Sequence, residues 1–430
     1  MAEEWDGVEA SMEDPEETNV IYCSLDSFSQ YAKTTHFNCT HLRRQAFYAL
    51  PQAHWQMLAG PPFHYLDTLN RVDAAIESNA DLARNIVECG LHSFGMVDAN
   101  QEPVMPEDWI GVAKVNDMDK ARSTIRQFYR DWSAEGQSER DACYGPVFRA
   151  LENERAPKMM NAMLREQKDP HGVTRAEPPT RKISPLKVLV PGAGLGRLVF
   201  DLCRLGYDAE GNEISYHQLL ASSYVLNSCK KAGQHTIYPW IHSFSNHRTR
   251  ETQFKSYKVP DIHPATTLAA TEGKGSMQMC AADFLCLYGD DEHRDAYDAV
   301  AAVFFIDTAP NLIRYLEVIK RCLKPGGTLI NVGPLLWHWE NHVPGHSGYD
   351  GDDHHEGNDS LGIADPGNFE LTEDEVFALL TKMGFEIEHF ESGIPAPYIQ
   401  DPQSMLHMEY RASHWVARKP KEVDTTNTKA

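Results

Sequence analysis

The chain has no CxxC pair among its nine cysteines, and their spacing follows no regular framework. That argues against a thiolate zinc site and a disulfide-stapled scaffold. Cys203 and Cys322 sit inside apolar patterns, so the cysteines read as reduced core thiols. Positive charge is scarce: 40 Lys and Arg face 62 Asp and Glu, a formal net charge of −22. No basic cluster rivals that excess of acid, so no nucleic-acid partner is expected. Long hydrophobic runs are missing as well. The longest unbroken apolar stretch near the middle spans residues 299–306, far short of the about 20 residues a membrane-spanning helix needs. Glu3, Glu4, Asp6 and Glu9 stand where a signal peptide would carry basic residues. These absences predict a soluble intracellular protein without a membrane partner, cytoplasmic and in part nuclear.

What is present suffices for a sizeable core, since 42% of the 430 residues are hydrophobic. Residues 1–18 hold eight acids and no base, which predicts a disordered acidic tail. From 19 to 167 the apolar spacing is helical, as in "TLNRVDAAIESNADLARNIVECG", with Gly90 as a C-cap, and in the continuous stretch 123–147. Four prolines in 168–185 mark a linker loop. At 186 the period changes. Short buried strands ("LKVLVPG", "YDAEGNEI", "YDAVAAVFFID", "TLINVGP") alternate with helices such as "RLVFDLCRLG" and "NLIRYLEVIKRCLKPGG" up to residue 420, before a tail at 421–430. This alternation predicts an α/β fold, a doubly wound and mostly parallel sheet with an N-terminal helical region.

The first strand runs into "GAGLGR", where a tight turn can bring backbone amides against a ligand. Gly192, Gly194 and Gly196 are followed by Arg197, so the third glycine of a dinucleotide fingerprint is absent. Glu213 closes the second strand, where a carboxylate can accept from two ribose hydroxyls. Asp283 and Phe284 end a later strand; the acid can accept from an adenine amine and the ring can cover the base. With "LKPGG" before the next strand, the set looks like a class I methyltransferase, whose S-adenosylmethionine has no pyrophosphate to cradle.

"VLVPGAGLGRL", "GNEIS", "FFIDTAPNLIRYLEVIKRCLKPGG", "NVGPLLWHWE", "DPQSMLHMEY…VARKP" and the upstream "RQFYRDWSAEGQSERDACY" closely resemble the carnosine N-methyltransferases. The resemblance covers roughly residues 35–420. It implies methyl transfer from S-adenosylmethionine to the imidazole of carnosine, a small dipeptide, giving anserine. Carried over, it makes Gln127, Arg130, Gly192, Glu213, Asp283 and Phe284 cofactor contacts, with Asp307, His338 and Tyr410 holding the substrate. This chain departs from the family at Pro310, where histidine is usual and where proline suits a first helical turn. It departs again in the insertion 341–368.

Each of these residues has a plainer role open to it. Asp307 could cap the helix that begins at Thr308 or Asn311. His338, between two tryptophans, could be a core histidine. Gln127 and Arg130 could form a solvated helix face, and Tyr410 could pack against the sheet. In the insertion, His342, His346, His354 and His355 lie among Asp350, Asp352 and Asp353. Interrupting glycines and the lack of i, i+4 spacing predict a solvated loop with no metal. Other functions stay open at this point: a methyltransferase acting on a related histidine-containing peptide, another small molecule or a protein histidine, a nicotinamide-dependent oxidoreductase, disfavoured by Arg197, and a cofactor-binding scaffold without catalysis. A homodimer is compatible with the sequence, which does not fix the oligomeric state.

Overall fold

A computed structural model describes residues 15–166, 184–341 and 367–421. Its strands are β1 (Lys187–Pro191), β2 (Asp208–Glu213), β3 (His235–Ile237), β4 (Tyr257–Val259), β5 (Met277–Ala281), β6 (Tyr297–Val303), β7 (Leu323–Gly333), β8 (Glu386–Pro397) and β9 (Glu409–Arg418). Strands β3 and β4 make a small antiparallel hairpin, and the other seven form one sheet in the order β5–β2–β1–β6–β7–β9–β8. Pairing is parallel from β5 through β7, and β9 runs antiparallel to both β7 and β8.

The apolar runs read as buried strands because helices cover both sheet faces. Leu189, Val300, Leu329 and Trp415 face helices Leu312–Cys322 and Glu373–Lys382. Their alternates Val188, Val190, Ala301 and Ile330 face helices Gln137–Glu166 and Arg197–Arg204, as the two-residue period of a strand requires. The N-terminal helices Pro15–Ser29, Tyr65–Ser93 and Val115–Trp132 share a further cluster with Leu195, Phe200, Tyr216 and Leu220. They are thus packed onto the α/β unit itself.

Several local expectations change. Helix Pro15–Ser29 begins inside the expected acidic tail, whose residues 1–14 lie outside the described chain. Gly90 is no C-cap, because its helix continues to Ser93. A Cβ there would lie 2.7 Å from Leu220 Cδ2 and 2.8 Å from Leu25 Cδ2, so the glycine permits three helices to approach closely. The stretch 123–147 breaks after Trp132. Helix Gln137–Glu166 starts just past Gly136, whose Cβ would meet the Tyr129 carbonyl oxygen at 2.2 Å. The linker up to 183, the insertion 342–366 and the tail from 422 lie outside the described residues.

Arg197 has a structural task instead of a phosphate to hold. It donates to Asp201 Oδ2 at 3.0 Å, to Asp261 Oδ1 at 2.7 Å and to the Asp131 carbonyl at 3.0 Å, with its guanidinium over Trp132. This buried clamp ties the first helix of the α/β unit to the helical layer.

Candidate active site

In a doubly wound sheet the crevice lies at the carboxyl ends of the strands, and the predicted residues converge there. After β1, Gly192, Gly194 and Gly196 take φ values of 65°, 58° and 74°, a left-handed run that only glycine adopts freely. Space also demands glycine. A Cβ on Gly192 would lie 2.9 Å from Phe305, and one on Gly194 would lie 2.9 Å from Gln127 Nε2.

Glu213 is the clasp of this loop. Its Oε2 accepts the Gly194 N–H at 2.9 Å, and its Oε1 accepts those of Ile214 and Ser215, each at 2.9 Å. Burial raises its pKa, while the three amides pull it down. A carboxylate offers roughly four acceptor directions, so three are already engaged and the expected pair of ribose hydroxyls must share what is left.

Asp283 Oδ1 caps the short helix Phe284–Tyr288, accepting from Leu285 at 2.7 Å and Cys286 at 3.2 Å. It sits beside the clasp, because the Ala282 N–H reaches the Glu213 carbonyl at 3.2 Å. Phe284 departs from its expected place over an adenine. Its ring is buried against Phe305 and Tyr315, 5.4 Å from each, because the short helix turns it into the core; Phe305 is the ring that meets the glycine loop.

Gln127 and Arg130 are no solvated face. Helix Val115–Trp132 lies across the loop, so Gln127 Nε2 donates to Asp131 Oδ2 at 2.9 Å and Arg130 Nε to Asp131 Oδ1 at 2.8 Å. The Arg130 guanidinium covers the Tyr398 ring at 4.4 Å.

Strand β6 stops at Val303, short of the residues "FFID" that were expected to extend it, because Phe304 takes φ +52°. Asp307 therefore lies on the 3₁₀ turn Ile306–Thr308, buried at 3% exposure. It is not a helix cap: Asn311 caps the next helix, accepting from the Arg314 N–H at 3.4 Å. Pro310 precedes that cap and so lies before the first turn, contrary to expectation. The segment after β7 folds over Asp307. The Leu336 N–H donates to Asp307 Oδ2 at 2.9 Å and the His338 N–H to the Asp307 carbonyl at 3.1 Å.

The His338 side chain is exposed, which excludes the core reading, while Trp337 and Trp339 anchor the segment on the Leu371 and Thr308 carbonyls. Burial raises the pKa of Asp307, with the Leu336 N–H and His338 opposing. Tyr410 completes one wall, edge-on to Phe304 at 5.7 Å, and Tyr398 lies 5.2 Å from the same ring.

Three contributors escape sequence reasoning. Asp131 accepts from its chain neighbours Gln127 and Arg130 and, through its carbonyl, from the distant Arg197, while Phe304 and Tyr398 meet only across the fold.

A crevice that joins a shortened glycine loop, an acid at the end of β2, an acid-capped turn after β5 and a buried carboxylate beyond β6 defines a class I S-adenosylmethionine-dependent methyltransferase. The donor set suits that cofactor: amides and acceptors for a nucleoside, with no pyrophosphate cradle. Sequence comparison then gives the family. The family profile described as "Carnosine N-methyltransferase" matches residues 107–165 and 172–421. The chain is 35% identical over 411 residues to "Carnosine N-methyltransferase" of Schizosaccharomyces pombe, covering 95% of this chain and 98% of that protein. It is 32% identical over 399 residues to the Mus musculus protein of the same name, covering 92% and 85%. The chain belongs to the carnosine N-methyltransferase family. Among solved structures, a Methanosarcina mazei SAM-dependent methyltransferase covers 56% of this chain and 95% of its own at 17% identity; its TM-score of 0.31 adds nothing to the strand order.

Proposed function

We propose that this protein methylates an imidazole nitrogen of carnosine, giving anserine. The observation that carries the reading is Asp307, a buried carboxylate held by the Leu336 N–H and overlaid by the His338 segment, two residues beyond Phe305, whose ring lies against Gly192 of the glycine loop. S-adenosylmethionine supplies a methyl on a positively charged sulfur, which leaves as a neutral thioether when nitrogen bonds the carbon. The rest falls to the chain. The glycine loop and Gln127 hold the donor, and the Phe304–Tyr398–Tyr410 wall keeps water from the substrate. Asp307 accepts from the imidazole's far N–H, which leaves the attacking nitrogen without a proton and steadies the imidazolium that forms. In this reading His338 hydrogen-bonds the same ring or the dipeptide's carboxylate. Incubation with labelled cofactor and carnosine should yield labelled anserine; labelled cofactor that persists unchanged would refute carnosine as the acceptor.

The acid limb of the rate should identify Asp307. Substrate imidazole protonates near its ordinary pKa of about 6.5, which lowers kcat/KM below that pH. For an acid whose folded pKa is raised, the working anion is lost earlier as pH falls. The kcat profile, which reports the bound complex, should therefore show a second limb above the ordinary aspartate value of about 3.9. A kcat flat down to pH 4 would exclude Asp307 as the ionised partner.

The insertion is not part of the cofactor site in this reading. Deleting residues 342–366 should leave cofactor affinity unchanged in calorimetry and alter substrate KM at most. Stoichiometric zinc or iron lost with the deletion would contradict it.

All nine cysteines are free thiols, which fits a reducing compartment such as the cytoplasm or nucleus. Among the described residues no helix is long and apolar enough to cross a membrane.

A further inference from the structure

We infer that His389, Glu391 and His414, on the β8–β9 ribbon, form a binding site for one divalent transition-metal ion of the zinc type. The three side chains present ligand atoms that all lie within 4.8 Å of one another. Register brings this about. Glu391 pairs directly with His414, His389 pairs with Val416 two residues on, and bulges interrupt the ladder on both sides of this run. Bulges of this kind re-aim side chains at sheet edges, and the His389 and His414 ring centroids are left 4.8 Å apart.

The independent observation is His414 itself. It is buried at 4% exposure, yet neither Nδ1 nor Nε2 has a hydrogen-bond partner. A neutral imidazole carries one donor and one acceptor, and a buried ring that satisfies neither needs an explanation.

Two imidazoles and one carboxylate suit a borderline divalent ion. At metal–ligand bonds of about 2.0–2.1 Å, tetrahedral donors stand roughly 3.3 Å apart. The two exposed members, His389 and Glu391, can make up the remaining distance by rotamer adjustment, and their exposure leaves a fourth position open to water. The ion would cross-link the edge strand β8 to β9 about 13 Å along the strand from Tyr410, and so hold the ribbon that carries Tyr398 and Tyr410. The inference does not rest on the methyl-transfer reading.

The test uses the full chain with His342, His346, His354 and His355 replaced by serine, so that the insertion cannot compete for metal. Co2+ is titrated by absorption spectroscopy and Zn2+ by calorimetry. One Co2+ per chain, with the d–d bands of a low-symmetry site and displaced by Zn2+, is expected. His389→Ala and Glu391→Ala change exposed residues and keep the fold. Each should raise the metal Kd at least about 100-fold, because losing even an outer-shell partner costs about 10- to 100-fold. Zn2+ should raise the melting temperature of the parent but of neither variant. Absence of saturable binding, or binding that both substitutions leave unchanged, overturns the site.

Discussion

Replacing Asp307 with asparagine should lower kcat by about 100- to 1,000-fold, the scale for removing one electrostatic stabiliser from a reaction centre. The variant keeps the shape of the side chain, and its amide oxygen can still accept the Leu336 N–H that now reaches Oδ2. What it loses is the negative charge opposite the ring as the imidazolium forms. Its NH2 can also favour the tautomer that places the proton on the attacking nitrogen. Stability should not suffer. An acid whose folded pKa is raised costs stability while it is ionised, a cost relieved as pH falls through the folded value. At neutral pH the asparagine variant should therefore melt no lower than the parent. Cofactor affinity, read by calorimetry, should hardly change. Activity near that of the parent would refute the tautomer mechanism. A collapse of melting temperature together with activity would make Asp307 structural.

Glu213→Ala should weaken cofactor binding by about 10- to 150-fold, the equivalent of charge-assisted hydrogen bonds worth about 1.5–3 kcal/mol. The loss has two sources. In the proposed site the carboxylate would accept from the ribose, and in the structure it holds the Gly194 N–H that shapes the loop. Without it the buried amide of Gly194 and the part-buried amides of Ile214 and Ser215 lose their acceptor, which should cost about 1–3 kcal/mol of stability in denaturant titration. The same carboxylate is desolvated, so its removal also recovers part of that loss. Glu213→Gln restores part of the geometry and should fall between parent and alanine in both measurements. Cofactor binding unchanged in the alanine variant would remove Glu213 from the site.

Much of the site was legible because its residues stand at strand ends, and strand ends show in a sequence as the place where an apolar run stops. Gly192, Gly194, Glu213 and Asp283 became candidates in that way, and the structure places them together at the carboxyl ends of the strands. Asp307 was named through the family resemblance, and the strand it was expected to end stops earlier, because a positive φ at Phe304 is invisible among consecutive apolar residues. Gln127 and Arg130 looked like any polar pair one helical turn apart. Only the family resemblance pointed at them, and only the packing of their helix across the glycine loop shows why two polar residues belong there.

Period, turn chemistry and charge are local properties, and the sequence alone determined their consequences: alternating helices and strands, a parallel sheet, and a glycine turn too short for a dinucleotide. Long-range placement belongs to the tertiary structure. Arg197 became a buried clamp because Asp131 and Asp261 arrive from either side of it in the chain. Phe284 went into the core because a five-residue helix turned it there. His389, Glu391 and His414 were never candidates in the sequence, since they sit on different strands and meet only through pairing register. Which side chains meet depends on closing loops tens to hundreds of residues long, and no local window of sequence carries that information.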